Sequence, residues 1–201
     1  YTKETGVLSR NTAYNPLTIE GKKTAAFEIA RELRRLGAAT PDHVFVPTGD
    51  GVIVAGVIRG FEDLVAMGEL ARMPKVWAVQ AEGSSAIARA LASGRLEIRP
   101  SSTLADSISV DAPRNGVFAL AKLRKHGGGA VIVSDEEILE AQVLGSSKAG
   151  LFAEPSSACA LAGFIKARSQ IGKTETAVVM LTGSGLKDVK NAARAVGADL
   201  K

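Results

Sequence analysis

The sequence predicts an α/β fold in three layers: an open, mostly parallel sheet with helices on both faces. Three observations predict it. Short β-branched runs recur along the chain, helical periodicities fill the gaps between them, and strands hand over to helices through glycine-bearing turns. Nearly continuous apolar strands are what a parallel sheet needs when both of its faces are covered.

Taken in order, residues 20–36 form the first clear helix pattern. Ala26, Ile29, Ala30 and Leu33 share one face, Glu28, Arg31, Glu32 and Arg35 the other, and Gly37 follows as a stop. Val44–Val46 reads as the first strand. Residues 52–67 begin apolar nearly all round, with Val52, Ile53, Val54, Ala55, Val57 and Ile58, so this helix should start buried and end near Gly68. Val76–Val79, Ala130–Val133 and Ala177–Leu181 read as the remaining strands. Further helices are predicted at residues 84–93, 115–126, 134–145, 154–168 and 186–195. In the third of these, Ser134 reads as an N-cap with Glu137 as its capping-box partner. The chain has no internal repeat and no low-complexity tract.

Composition narrows the function classes. A chain of 201 residues, 46% hydrophobic and 23% charged, has room for one globular domain with a sizeable core. The net charge of +4 is spread along the sequence and aromatic residues make up only 4%, which argues against a nucleic-acid partner. A diffuse cationic excess still suits a small phosphorylated substrate. The single Cys159 excludes an internal disulfide framework, fits a reducing cytoplasm and reads as a small buried hydrophobe. Arg59, Glu62 and Asp63 interrupt the longest apolar run, and no signal-peptide pattern is read, so a cytoplasmic protein with no membrane partner is expected. The start at Tyr1 rather than Met leads us to expect a fragment of a longer chain.

Two histidines and one cysteine at unrelated positions make no metal site. His43 stands beside a strand. His126 ends a helix together with Lys122, Arg124 and Lys125, where cations suit the helix dipole.

Three segments carry chemistry. In Phe45-Val46-Pro47-Thr48-Gly49-Asp50-Gly51-Val52, an apolar strand runs through a glycine-spaced turn into an apolar helix. Gly49 and Gly51 can adopt positive φ, so successive N–H groups can converge on one anion beside a helix N-terminus. The same pattern also serves as an ordinary tight turn. In Ala177-Val178-Val179-Met180-Leu181-Thr182-Gly183-Ser184-Gly185, a second strand ends in a polar, glycine-rich turn. Thr182 either caps that turn or shares a crevice with Thr48 at the carboxyl ends of the strands. In Glu154-Pro155-Ser156-Ser157-Ala158-Cys159-Ala160-Leu161-Ala162-Gly163, Pro155 suits a first helical position and the small residues permit close packing, so the segment reads as a purely structural helix start, where the Glu154 carboxylate could also act on a ligand amine or proton.

The order of these motifs resembles the fold-type II pyridoxal-phosphate enzymes, and within them the threonine synthases. The resemblance runs through Asn15-Pro16, Glu20-Gly21-Lys22-Lys23-Thr24-Ala25-Ala26-Phe27-Glu28-Ile29, Val46-Pro47-Thr48-Gly49-Asp50-Gly51, Gly60-Phe61 and Val79-Gln80-Ala81-Glu82. It continues through Thr103-Leu104-Ala105-Asp106-Ser107-Ile108, Glu154-Pro155-Ser156-Ser157-Ala158 and Thr182-Gly183-Ser184-Gly185-Leu186-Lys187-Asp188.

The resemblance implies pyridoxal 5′-phosphate as cofactor, with Thr48, Gly49, Asp50, Gly51 and Val52 around its phosphate, Thr182 facing the pyridine nitrogen and Glu154 beside it. It implies conversion of O-phosphohomoserine and water to threonine and phosphate. Residues 1–201 would then be the carboxy-terminal, cofactor-phosphate domain of a larger two-domain enzyme, commonly a homodimer. The lysine that bonds the cofactor would lie upstream of residue 1, so this chain alone is expected to hold no catalytic residue and to be inactive. Lys148 follows serines as that lysine does, yet it comes after the phosphate loop instead of before it. Asp50 departs from the Asn or small residue of many relatives, and a carboxylate beside a phosphate is repulsive unless it turns away or meets a cation. The alternatives are a serine/threonine dehydratase, a cysteine-synthase relative, or a non-enzymatic module binding a phosphorylated metabolite.

Overall fold

Four strands form one parallel sheet in the computed structural model, which describes residues 2–9, 15–38 and 40–198; Tyr1 lies outside them. These are β1 (His43–Pro47), β2 (Lys75–Ala81), β3 (Gly129–Val133) and β4 (Ala177–Val179), in the order β3-β2-β1-β4. Val44 lies opposite Val76 and Val178, and Phe45 opposite Trp77 and Val179. Because side chains alternate along a strand, this register sorts the core into two slabs. Val44, Val46, Val76 and Ala78 face one side, and Phe45, Trp77, Val79, Ala81, Val131 and Val133 face the other.

The described helices are α1 (Thr2–Thr5), α2 (Leu17–Lys22), α3 (Thr24–Arg35), α4 (Val52–Ala66), α5 (Ala86–Ser93), α6 (Gly116–Lys125), α7 (Asp135–Ala149), α8 (Pro155–Ala167) and α9 (Val189–Ala195). Helices α3 to α6 close the first slab and α7 and α8 the second, giving the predicted three layers. On the second side Phe45 stacks on Trp77 with centroids 5.5 Å apart, and Phe164 of α8 meets Phe45 edge-on at 5.6 Å. The predicted capping box is present: the Glu137 N–H donates to Ser134 Oγ, and the Ser134 N–H donates to Glu137 Oε2. No described helix is long and apolar enough to cross a membrane.

Three expectations are corrected. The helix expected at 20–36 starts earlier and divides at Lys23 into α2 and α3. The junction is pressed onto α4: a Cβ on Gly56 would lie 2.4 Å from Lys22 Cβ, and one on Gly60 would lie 2.6 Å from the Lys23 carbonyl oxygen. Strand β4 stops at Val179, two residues short of its expected end; the Met180 N–H still donates to Phe45 O, and the chain then leaves the sheet. Finally, β4 is an edge strand whose residues are all half-buried, so only β1 and most of β2 have the full two-sided cover inferred for every strand.

Both histidines are structural. His43 is the buried first residue of β1; its Nδ1 accepts the Trp77 indole N–H at 3.0 Å, and its Nε2 lies 3.1 Å from Glu175. Since indole nitrogen only donates, this pairing fixes Nδ1 as the acceptor. His126 caps α6 and meets Glu62 of α4 at 2.7 Å, alongside Lys122 at 2.6 Å and Lys125 at 2.9 Å. Partial burial raises the Glu62 pKa, but the hydrogen bonds from Lys122, Lys125 and His126 outweigh it and hold the carboxyl at about 2 against an ordinary 4.5. A carboxyl depressed in the folded state stabilises the fold above its unfolded pKa and loses that contribution as pH falls through the folded value. The α4–α6 contact should therefore weaken between about pH 5 and pH 2, by about 1–2 kcal/mol after solvent screening. Urea midpoints at pH 6 and pH 3 should differ less in Glu62→Gln than in the parent; equal differences would dismiss the cluster as a source of acid sensitivity.

Candidate functional site

A cavity of about 310 Å³ opens at the carboxyl ends of β1 and β4. All seven residues singled out from the sequence line it: the run 48–52, Glu154 and Thr182. The segments that carry them are some 130 residues apart in sequence and meet because β1 and β4 are neighbours in the sheet.

The turn after β1 is held from three sides. The Thr48 N–H donates to Val79 O at 2.8 Å, its hydroxyl donates to Val46 O at 2.9 Å, and the residue is buried. Gln80 of β2 donates from Nε2 to Thr48 O at 3.0 Å while its Oε1 accepts the Ala88 N–H at 2.8 Å, tying the turn to α5. Asn115 donates from its backbone to Asp50 O and from Nδ2 to Gly51 O, both at 3.1 Å. Gly51, at φ +92° and ψ 1°, is the left-handed N-cap that swings the chain into α4.

The first N–H groups of a helix have no partner within it. Among the described residues, no acceptor is found for the N–H groups of Gly49, Gly51, Ile53 and Val54, which frame the cavity wall. Unpartnered donors at the positive end of a fifteen-residue helix are the kind of group that can take an anion. Asp50 is folded back along the helix start, where Oδ1 accepts the Val52 N–H at 3.1 Å. The chain's own carboxylate therefore takes one donor of the helix start. Lys22 and Lys187 bring positive charge to the same cavity.

Opposite this helix start, residues 152–154 pair with the turn after β4. The Glu154 N–H donates to Gly183 O, the Gly185 N–H donates to Phe152 O, and Ala153 bridges antiparallel to Ser184. Pro155 takes the first position of α8, as expected, and Glu154 is that helix's N-cap residue without a side-chain cap. Its buried carboxylate instead pairs with Lys187 at 2.8 Å. The reading of Thr182 as the cap of its turn is corrected: Ser184 is the cap, accepting the Leu186 N–H, while Thr182 bonds Ser157. Thr182 is exposed on the cavity side, so its hydroxyl is available to a ligand.

Gln80, Asn115 and Ser157 support the site, yet none was selected from the sequence as a site residue. Gln80 left a trace, being an amide inside an otherwise apolar strand run, Lys75–Ala81. Asn115 and Ser157 left none, because their partners are distant in sequence. Lys148 is exposed in the last turn of α7 and lines none of this cavity. Cys159 is buried beneath α8, where desolvation pushes its thiol pKa up and keeps it protonated and unreactive.

Residues 1–183 match the family described as pyridoxal-phosphate dependent enzymes. A threonine synthase of Methanocaldococcus jannaschii is 37% identical over 192 residues, covering 93% of this chain and 47% of that protein. One from Methanosarcina acetivorans is 38% identical over 179 residues, covering 87% and 44% respectively. Among solved structures, a threonine deaminase from T.th. superposes with a TM-score of 0.73 at 26% identity, over 91% of this chain and 64% of that one. The chain spans about half the length of the curated relatives it matches.

Proposed function

The chain belongs to the pyridoxal-phosphate dependent enzyme family, and from that premise we propose that it forms one half of a threonine synthase. The reading is that the larger enzyme converts O-phosphohomoserine and water to threonine and phosphate. One observation carries it: unpartnered N–H groups at a helix start and an exposed threonine hydroxyl line one cavity, in a chain 37% identical to a threonine synthase.

The residues present fit the cofactor. The N–H groups of Gly49, Gly51, Ile53 and Val54 would hold its phosphate, with Thr48 and Gln80 keeping the turn in shape. Thr182 would meet the ring nitrogen, and Glu154, neutralised by Lys187, would close the cavity beside it. Pyridoxal phosphate, when bound, supplies an electron sink for carbanions formed on an amino-acid substrate. A neutral hydroxyl at the ring nitrogen favours the unprotonated ring, which moderates that sink. Desolvation within the cavity strengthens the hold of these N–H groups on an anion.

Assaying the intact enzyme for phosphate release from O-phosphohomoserine against 2-oxo acid release from threonine tests the reading; phosphate release is expected, and 2-oxo acid alone would favour a dehydratase. The lysine that bonds the cofactor is proposed to lie outside these residues, which would form the carboxy-terminal part of a homodimeric, cytoplasmic enzyme. Borohydride reduction of the 201-residue chain with the cofactor should therefore yield no single modified lysine. A stoichiometric pyridoxyl adduct at Lys22 or Lys187, which line the cavity, would reverse that assignment.

A further inference from the structure

The structure assigns Ser157 a role that no motif suggested: we propose that it sets the direction of the Thr182 hydrogen bond, so that Thr182 offers its own proton to the cavity. Ser157 is fully buried in the first turn of α8. Its Oγ lies 2.7 Å from the Thr182 N–H nitrogen and 2.6 Å from that of Gly183, and both of these groups only donate. It also lies 3.1 Å from Thr182 Oγ1. A hydroxyl oxygen has two lone pairs and one proton. Two backbone donors occupy both lone pairs, so the Ser157 proton is all that remains to make the third contact. Ser157 is therefore the donor in that pair and Thr182 Oγ1 the acceptor.

Had the pair run the other way, the Thr182 proton would be spent on Ser157 and only lone pairs would face the cavity. In the direction the geometry requires, that proton is free to point at a ligand. Thr182 Oγ1 keeps a second lone pair, but accepting from Ser157 polarises the hydroxyl, strengthening it as a donor and weakening it as an acceptor. The site is thereby tuned for a ligand atom bearing an unshared pair, such as an unprotonated ring nitrogen. Ser157 acts through Thr182 and is a positioning residue. The choice of ligand atom rests on the cofactor reading above; the direction of the hydrogen bond does not.

Two measurements test it. In the first, the intact apoprotein is titrated with pyridoxal 5′-phosphate and with its 1-deaza analogue, which carries C–H in place of the ring nitrogen. The parent should prefer the pyridine about fivefold, the worth of one neutral hydrogen bond. Thr182→Val should lose that preference and Ser157→Ala should lose most of it, whatever either does to affinity overall. If Thr182→Val loses the preference while Ser157→Ala keeps it, the role of Ser157 is overturned and the cofactor reading stands. If the parent has no preference, the placement of the ring nitrogen at Thr182 fails, and the role of Ser157 is decided by the second measurement. That measurement is neutron diffraction from deuterated crystals of the parent protein, which needs no variant to fold. A deuteron on Ser157 Oγ directed at Thr182 supports the inference, and one on Thr182 Oγ1 directed at Ser157 overturns it.

Discussion

Gly51→Val is expected to abolish cofactor binding and to remove a large part of the protein's stability. Gly51 sits at φ +92°, where an L side chain is strained, and a Cβ there would lie 2.8 Å from Ala119 Cβ and 3.1 Å from Ile87 Cδ1. The left-handed conformation costs about 1–2 kcal/mol for a residue with a Cβ, and overpacking between α5 and α6 adds about 1–3 kcal/mol. The sum is a serious fraction of a total stability of about 5–15 kcal/mol. Whatever gives way, the turn that presents the N–H groups of Gly51, Ile53 and Val54 to the cavity is displaced. Gly68→Ala separates the two contributions, since Gly68 has φ +74° but nothing within 4 Å of a built Cβ. It should show the conformational cost alone and bind pyridoxal phosphate normally. Denaturant midpoints and cofactor titrations of both variants check this. Should Gly51→Val unfold no earlier than Gly68→Ala, the packing half of the argument is wrong.

That turn also marks how far the sequence could be read. β1 and β2 were legible because Val44–Val46 and Val76–Val79 are buried on both sides and so apolar at every position. β4 looked the same in sequence, yet its side chains are half-exposed at the sheet edge, a difference set by neighbours and not by its own composition. The break between α2 and α3 was hidden for a similar reason. Its cause is the close approach of Lys22 and Lys23 to Gly56 and Gly60, more than thirty residues away. At the site, a strand-to-helix glycine turn announces itself locally, and Thr48 through Val52 line the cavity as expected. Thr182 could be placed at a strand end, but whether it capped its own turn depended on Ser157, which sequence separation conceals. Local backbone chemistry was readable, whereas polar partnerships across the sheet were not.

Glu154 and Gly183 form such a partnership, and it should appear as strong non-additivity. A Cβ on Gly183 would lie 2.1 Å from Glu154 Oε1 and 2.5 Å from its Cδ. The carboxylate cannot swing aside cheaply, because Glu154 is buried, its N–H is bonded to Gly183 O, and its Oε2 is paired with Lys187. Gly183→Ala should therefore cost about 1–3 kcal/mol and lower pyridoxal phosphate affinity at least tenfold by displacing the turn that carries Thr182. Glu154→Ala, which vacates the slot, should cost about 1–2 kcal/mol on its own. Adding Gly183→Ala to that background should then cost almost nothing, giving a coupling of about 1–3 kcal/mol from the four denaturation curves. Additivity within about 0.5 kcal/mol would mean that the two residues do not compete for space. Cofactor affinity in the double variant separates two roles for Glu154. Recovery would mean that the carboxylate matters only as the wall that seats Thr182; persistent weakness would mean that its charge, poised by Lys187, itself contributes to holding the ligand.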